Sequence, residues 1–289
     1  MSKLDKNCDL WTIMCFQNFW TWDKNESVED YFFKWYDLIV FNSEWNFWNK
    51  TYEKDIKWWP IYFRYDKKYL TYFKNKLKAK VLFFSNNHQR DFGFTGIEQT
   101  FKLVKQSGLK YVWNSVWFNL KENIFTKQIW NKKLIILNLN DVVSSLQGND
   151  LKNIENYIKK NKKLNNLVLI FIHRWREYFL KPTKRQIELW HKFIDWWADL
   201  VVWSHTHTIQ PMEVYKWKRI YYSLWNITYD NDRQKKVIPD IDYGLFMWVN
   251  FSNNWVKFFH QPYKIEHKIP SLIVGKYKES ILRKYWISK

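Results

Sequence analysis

Two histidines separated by one residue form the strongest local signal for chemistry in this sequence. His205 and His207 follow directly after the apolar run 198–202, which is typical of a buried strand. If the chain stays extended there, residues two apart project from the same side, so both imidazoles can face one metal cluster. A solvated loop with two incidental histidines would give the same local pattern.

Three further apolar runs also end in side chains that bind metals. These are His173 after the run 167–172, Asn87 after the run 80–84, and Glu44 after the run 38–41. Ligands gather at the carboxyl ends of the strands in an α/β sheet, so we expect these groups in one region. Imidazole, amide and carboxylate together suit a borderline divalent ion such as Mn, Fe, Zn or Co better than an all-oxygen calcium site.

The elements that must position these residues follow from periodicity. Short apolar runs alternate with longer amphipathic segments, which predicts an α/β fold. We predict strands at residues 12–16, 38–42, 80–85, 134–138, 167–173, 200–203, 219–223, 245–251 and 256–260, and a helix at 151–160. Capping-box patterns predict two more helix starts, at Thr95 with Glu98 and at Thr183 with Gln186, and Gly108 is expected to end the first.

Composition restricts the class of protein and its partners. The chain has 289 residues and a formal net charge of +19, but its lysines are dispersed and form no basic arm, so we expect no specific nucleic-acid partner. An apolar run of about 18 residues or more is absent, which predicts no membrane span. The start lacks the pattern of a signal peptide, so we expect a cytoplasmic protein, or a membrane-associated or extracytoplasmic one if the true start lies upstream.

The counts of glycine and tryptophan look exchanged. The chain has 21 Trp and 6 Gly, whereas the usual glycine content of about 7% would give roughly 20. Trp217 and Trp225 stand in turn-like positions, where glycine is favoured because it tolerates positive φ. One hypothesis is that many of these tryptophans are UGA codons that the cell reads as glycine. The alternative is a chain that is truly rich in tryptophan and uses indoles for packing or stacking.

The motifs in their order resemble the bacterial capsule-synthesis (poly-gamma-glutamate, CapA-type) family of the calcineurin-like metallophosphoesterase superfamily. The segments that carry this resemblance are 85–93, 173–178 and 199–226. Glycine in place of tryptophan would restore the family residue at four positions, which favours the misread codon. These positions are Trp197, Trp203, Trp217 and Trp225.

The resemblance implies the fold and its extent. It implies an α/β fold, a metallophosphoesterase-like layered sandwich of β-sheets flanked by helices. We assign it to a CapA-type domain over residues 1–263, and residues 264–289 are interpreted as a basic C-terminal tail.

The resemblance also implies a role for each matching residue. The implied ligands of two divalent ions are Asn18, Glu44, Asn87, His173, His205 and His207. His88 resembles the proton donor of the superfamily, and Asp91 would orient its ring by a hydrogen bond. The implied cleft residues are Glu177, Tyr178 and Asn226. Asn18 stands where the family has aspartate, which weakens one metal position.

The implied function is capsule synthesis with a metal-dependent hydrolase site, acting on an anionic polymer or a phosphoester. The family context makes the capsule-synthesis machinery an expected partner. A non-catalytic capsule-assembly component that retains the fold is the alternative, and the asparagine at position 18 favours it. The positive charge and the nucleases of the superfamily leave a nucleic-acid enzyme as a third interpretation.

Overall fold

A computed structural model gives the architecture of the chain. It describes residues 11–16, 36–44, 46–48, 64–75, 78–113, 119–142, 146–174, 177–224, 236–238, 240–252, 255–266 and 269–287, with the backbone alone at 11–16, 64 and 269. In chain order the elements are β1 (Trp11–Phe16), β2 (Leu38–Asn42), β3 (Asn46–Trp48), β4 (Arg64–Asp66), α1 (Lys68–Asn75), β5 (Val81–Phe83), a 3-10 helix (Asn87–Arg90), α2 (Gly93–Gln106), β6 (Lys110–Val112), β7 (Ile124–Ile129), β8 (Lys132–Asn140), α3 (Asn149–Lys163), β9 (Leu167–His173), α4 (Lys184–Asp195), β10 (Leu200–Ser204), β11 (Gln210–Tyr215), β12 (Lys218–Ser223), β13 (Tyr243–Phe251), β14 (Val256–Glu266), β15 (Ile269–Leu272) and α5 (Gly275–Lys284).

Two large sheets and one short one contain these strands. The first sheet has seven strands in the order β15-β14-β13-β1-β2-β5-β6, and the second has six in the order β11-β12-β10-β9-β8-β7. The strands β1, β2, β5 and β6 run parallel in the first sheet, as do β8, β9, β10 and β12 in the second. β3 and β4 form a separate parallel pair. The predicted α/β class with layered sheets and flanking helices is confirmed.

The central strands have successive apolar residues because both of their faces are buried. In β8, Leu134 and Ile136 belong to a core that also contains residues of the seven-stranded sheet. Their neighbours Ile135 and Leu137 point to the other face, into a second core with residues of α3 and α4. The six-stranded sheet therefore lies between the first sheet on one side and helices on the other.

The predicted strand at 38–42 and the predicted strand at 167–173 have the bounds of β2 and β9. The predicted helix start at Thr95 is wrong, because α2 begins at Gly93 with Phe92 at its N-cap position and without a side-chain cap. Only Asp91 and Phe92 separate the 3-10 helix from α2, so Thr95 lies inside the first turn of α2. Gly108 does end that helix region, with φ of 77°.

Residues after 263 continue the seven-stranded sheet. Lys264 lies inside β14 and is paired with Ser271 of β15. Leu282 of α5 and Tyr285 just beyond it are buried, and the carbonyl of Tyr285 accepts a hydrogen bond from the amide of Met212 at 3.0 Å.

Among the helices in the described ranges, none is long and apolar enough to cross a membrane.

Candidate metal centre

The candidate site lies where strands of the two large sheets end. β2 and β5 lead into it from the seven-stranded sheet, and β9 and β10 lead into it from the six-stranded sheet. The side chains that follow are Glu44 after β2, Asn87 after β5, His173 at the end of β9, and His205 and His207 after β10. Glu44 and the three histidines are buried, with exposed fractions of 0 to 6%.

Four of these residues form one compact group of ligand atoms. His173 Nε2 lies 2.7 Å from Asn87 Oδ1 and 3.5 Å from Glu44 Oε1. The rings of His173 and His205 have centroids 4.6 Å apart. Single ligand atoms of Glu44, His173 and His205 all lie within 4.8 Å of one another, so this group could hold a metal ion.

A second group shares His205 with the first. Ligand atoms of Glu177, His205 and His207 also lie within 4.8 Å of one another. His207 Nε2 is 3.8 Å from Glu177 Oε1, and the ring of Tyr178 stacks on His207 with centroids 5.6 Å apart. The sequence interpretation placed Glu177 and Tyr178 only along the cleft.

The loop that carries the histidine pair is bent rather than extended. The extended chain assumed for residues after β10 is wrong, because the backbone bends at 206–208, and φ is 108° at His205 and 54° at His207. The bend is held by Thr206 Oγ1, which donates to the carbonyl of Thr208 at 2.9 Å. The two imidazoles still lie close together, with centroids 6.0 Å apart. Unfavourable backbone angles of this kind cluster at functional sites.

The protonation of the buried histidines suits metal binding. Burial, reinforced by the neighbouring histidines, holds the pKa of His173 and of His205 well below the usual value. Both rings are therefore neutral near pH 7, and the neutral imidazole is the form that binds metals. Within the described part of the chain, Nδ1 of His205 is buried without a hydrogen-bond partner, which would be costly unless a ligand such as an ion occupies it. The residues present thus fit a divalent metal.

His88 and Asp91 form a dyad at the same edge. His88 Nδ1 and Asp91 Oδ2 are 2.9 Å apart, and both side chains are buried. Burial by itself lowers the pKa of His88, but the hydrogen bond and charge of Asp91, with Glu44 and Glu177 beyond, outweigh it and raise that pKa. The ring therefore retains a proton more readily than an ordinary histidine does.

A network of asparagine side-chain amides supports the ligands from behind. Asn42 Nδ2 donates to Glu44 Oε1 at 3.3 Å. Asn86 Nδ2 donates to the carbonyl of Ser43 at 2.7 Å, and Asn140 Nδ2 donates to the carbonyl of Asn86 at 2.8 Å. These bonds join the ends of β2, β5 and β8, and such outer partners orient metal ligands.

Sequence reasoning missed several of these supporting residues. Ser204 Oγ lies 2.9 Å from His173 Nδ1, which leaves Nε2 of that ring directed to Asn87 and Glu44. Asp141, directly after β8, forms a buried ion pair with Arg174 at 2.6 Å. The polar pair 140–141 follows an apolar strand in the same way as the recognised ligands do, and that signal could have identified it. Asn18 and Asn226, predicted as a ligand and a cleft residue, lie outside the described residues.

Comparison with known families and proteins gives similar sequences over much of the chain. The family described as bacterial capsule synthesis protein PGA_cap matches residues 19–231. The chain is 32% identical over 164 residues to the capsule biosynthesis protein CapA of Bacillus anthracis, covering 52% of this chain and 40% of that protein. It is 27% identical over 195 residues to the PGA biosynthesis protein CapA of Bacillus subtilis (strain 168), covering 62% of this chain and 50% of that protein. These matches span half or less of the length of the two relatives.

Among solved structures, the chain is partly similar to the purple acid phosphatase PPD1 isolated from yellow lupin (Lupinus luteus) seeds. The TM-score is 0.43 at 8% identity, over 92% of this chain and 53% of that one.

Proposed function

The chain belongs to the bacterial capsule synthesis protein family PGA_cap, and from that premise we propose that its cleft is a divalent-metal centre for hydrolysis. The substrate is an anionic capsule polymer of the poly-gamma-glutamate type or a phosphoester, and the capsule-synthesis machinery is the partner. The donor set of imidazoles, carboxylate and amide suits Mn, Fe, Zn or Co, and the two groups of ligand atoms support a site for two ions.

One observation carries this proposal, namely the close approach of the ligand atoms of Glu44, Asn87, His173 and His205. Residues from both sheets converge here, with His173 Nε2 at 2.7 Å and 3.5 Å from its two oxygen neighbours. If these four side chains only filled the protein core, we would expect each of their buried polar atoms to have a hydrogen-bond partner. Nδ1 of His205 lacks one among the described residues.

The chain supplies the groups that hydrolysis needs. Divalent ions at this site would activate water and neutralise negative charge on the substrate. His88 is placed to hold a proton for the leaving group, since Asp91 accepts a hydrogen bond from Nδ1 and leaves Nε2 for the substrate. The half-buried Glu177 and Tyr178 lie beside His207.

A non-catalytic assembly component is the second candidate. The observation in its favour is Asn18, where the family resemblance expects aspartate. A neutral amide binds a divalent ion more weakly than a carboxylate does. In this case the chain keeps the fold and binds metal or polymer without cleaving a bond.

Turnover of a generic phosphodiester, bis(p-nitrophenyl) phosphate, with added Mn²⁺ tests the proposal. We expect Mn²⁺-dependent release of nitrophenol, and Glu44→Gln should reduce it by more than about 100-fold, because changes even to outer partners of a metal cost about 10–100-fold. Glu213→Gln is the matched control. Glu213 forms an ion pair with His191 at a distance of 3.0 Å, and neither residue belongs to the candidate site.

Incubation with poly-gamma-glutamate, followed by size-exclusion chromatography, examines the polymer as substrate. Shortening of the polymer by the wild type but not by Glu44→Gln supports hydrolysis. Tight Mn²⁺ binding without turnover of either substrate would favour the assembly component. Absence of metal binding would contradict both the metal centre and the hydrolase.

A further inference from the structure

The segment that carries Glu177 is fastened to the histidine loop. The amide of Tyr178 donates to the carbonyl of Thr206 at 2.6 Å. The carbonyl of Phe179 accepts a hydrogen bond from Thr208 Oγ1 at 2.8 Å. These bonds tie the two residues after Glu177 to the two threonines that alternate with the histidines, so the backbone itself sets the place of the carboxylate beside His207.

The distance between the carboxylate and the imidazole is that of two ligands on one ion. Glu177 Oε1 and His207 Nε2 are 3.8 Å apart, which is longer than a hydrogen bond of about 2.7–3.2 Å. Two ligands that each lie about 2.0–2.2 Å from one ion are about 3–4 Å apart. The ligand atoms of His205 also lie within 4.8 Å of this pair.

The charge of the site favours the same assignment. Glu44 is the carboxylate of the first group, and another carboxylate beside it favours a second dication, because an uncompensated charge in a buried site is costly. The side chain of Glu177 is 39% exposed, and its only ion-pair partner among the described residues is His207. Arg174 does not compete for it, because its guanidinium pairs with Asp141 at 2.6 Å.

We propose that Glu177 is a ligand of a second divalent ion, held together with His207 next to the ion of the Glu44 group. This inference rests on the proposed metal centre. It gives Glu177 a metal-binding role in place of the cleft-lining role implied by the family resemblance, and it supplies a carboxylate to a centre whose position 18 is asparagine.

Metal titration of the purified full chain tests this assignment without using activity. Isothermal titration with Mn²⁺ should give two ions for the wild type and one for Glu177→Gln, with affinity for the second ion reduced by more than about 100-fold. Electron paramagnetic resonance at full loading should show a coupled manganese pair in the wild type and an isolated ion in Glu177→Gln. Glu177→Asp should restore part of the second binding event.

Glu213→Gln is again the control, because it removes a carboxylate from another histidine–glutamate pair. It should retain two ions and the coupled spectrum. Two ions with unchanged affinity in Glu177→Gln would overturn the assignment, as would a single ion in the wild type that Glu177→Gln leaves unchanged. The proposed metal centre would survive both results, whereas a wild type that binds no Mn²⁺ would overturn the centre itself.

Discussion

Four tryptophans adopt a backbone conformation that favours glycine. Trp130, Trp197, Trp217 and Trp286 have φ of 47°, 79°, 65° and 58°. For a bulky residue this conformation costs about 1–3 kcal/mol. The indoles of Trp197, Trp217 and Trp286 are 62%, 95% and 71% exposed, so burial does not offset that cost. The backbone therefore favours glycine at these positions, as the misread-codon hypothesis expects.

Trp203 differs from these four residues. It lies in β10, is buried, and packs against Trp190 with ring centroids 5.1 Å apart. Its side chain points into the helix-side core, whereas the next residue, Ser204, contacts His173. An indole at position 203 therefore does not crowd the ligands, and the expectation of glycine there rests on the family resemblance alone. Trp225 lies outside the described residues.

The misread-codon hypothesis is tested by sequencing the gene and by replacing Trp197 and Trp217 with glycine. We expect UGA codons at Trp197 and Trp217, and each replacement by glycine should stabilise the protein by about 1 kcal/mol or more, because strain at positive φ is relieved. Urea unfolding measures the change. Trp190 is the control, since it is buried within α4, so its codon should be UGG and Trp190→Gly should destabilise. UGG codons at both positions, with no gain in stability, would contradict the hypothesis.

At the scale of elements, the ends of parallel strands explain why the candidate site could be predicted in part. Glu44, Asn87 and His173 each follow an apolar run, and the carboxyl ends of parallel strands meet at one edge of a sheet. The supporting contacts could not be predicted in this way. Asn140 reaches Asn86 across the two sheets, and no local pattern indicates which strand ends of different sheets face each other.

Helix starts show the same limit of local patterns. Thr183 and Thr95 both precede a glutamine or glutamate by three residues. Only Thr183 is an N-cap, with a complete capping box to Gln186, because the chain before Thr95 is already helical. Whether the pattern acts as an N-cap therefore depends on the backbone conformation of the residues that precede the threonine.

Because Thr183 is an N-cap and Thr95 is not, we expect alanine at these two positions to change the stability of the protein by unequal amounts. Thr183→Ala should destabilise the protein by about 1 kcal/mol, within the range of about 0.5–2 kcal/mol for lost N-caps, since α4 covers the six-stranded sheet through Trp190 and Phe193. Thr95→Ala is the matched control, and as an exposed position inside a first turn it should change stability by no more than about 0.5 kcal/mol. Chemical denaturation of both variants measures this, and a larger loss from Thr95→Ala would contradict the helix start at Gly93.

At the scale of the whole molecule, the family membership predicted from the order of the motifs is confirmed by the match over residues 19–231. The composition could not predict the family, because a net charge of +19 is shared by proteins of unrelated function. Some of the lysines form ion pairs with carboxylates, both within one element and between elements. These pairs include Lys159 with Glu155, Lys162 and Lys218 with Asp199, Lys216 with Asp195, and Lys264 with Glu266.

The dispersed charge predicts weak binding to duplex DNA. We expect a Kd of about 10⁻⁴–10⁻⁶ M near physiological salt, as for non-specific binding, with a steep loss between about 50 and 200 mM salt because phosphate contacts release counterions. Fluorescence anisotropy with a short labelled duplex measures both values. Lys160→Glu, on the lysine-rich α3, and Lys184→Glu, at the start of α4, should weaken binding to a similar extent. If α3 instead formed a dedicated nucleic-acid surface, Lys160→Glu alone would remove a tight and salt-resistant interaction, and the nucleic-acid enzyme would then become the better interpretation.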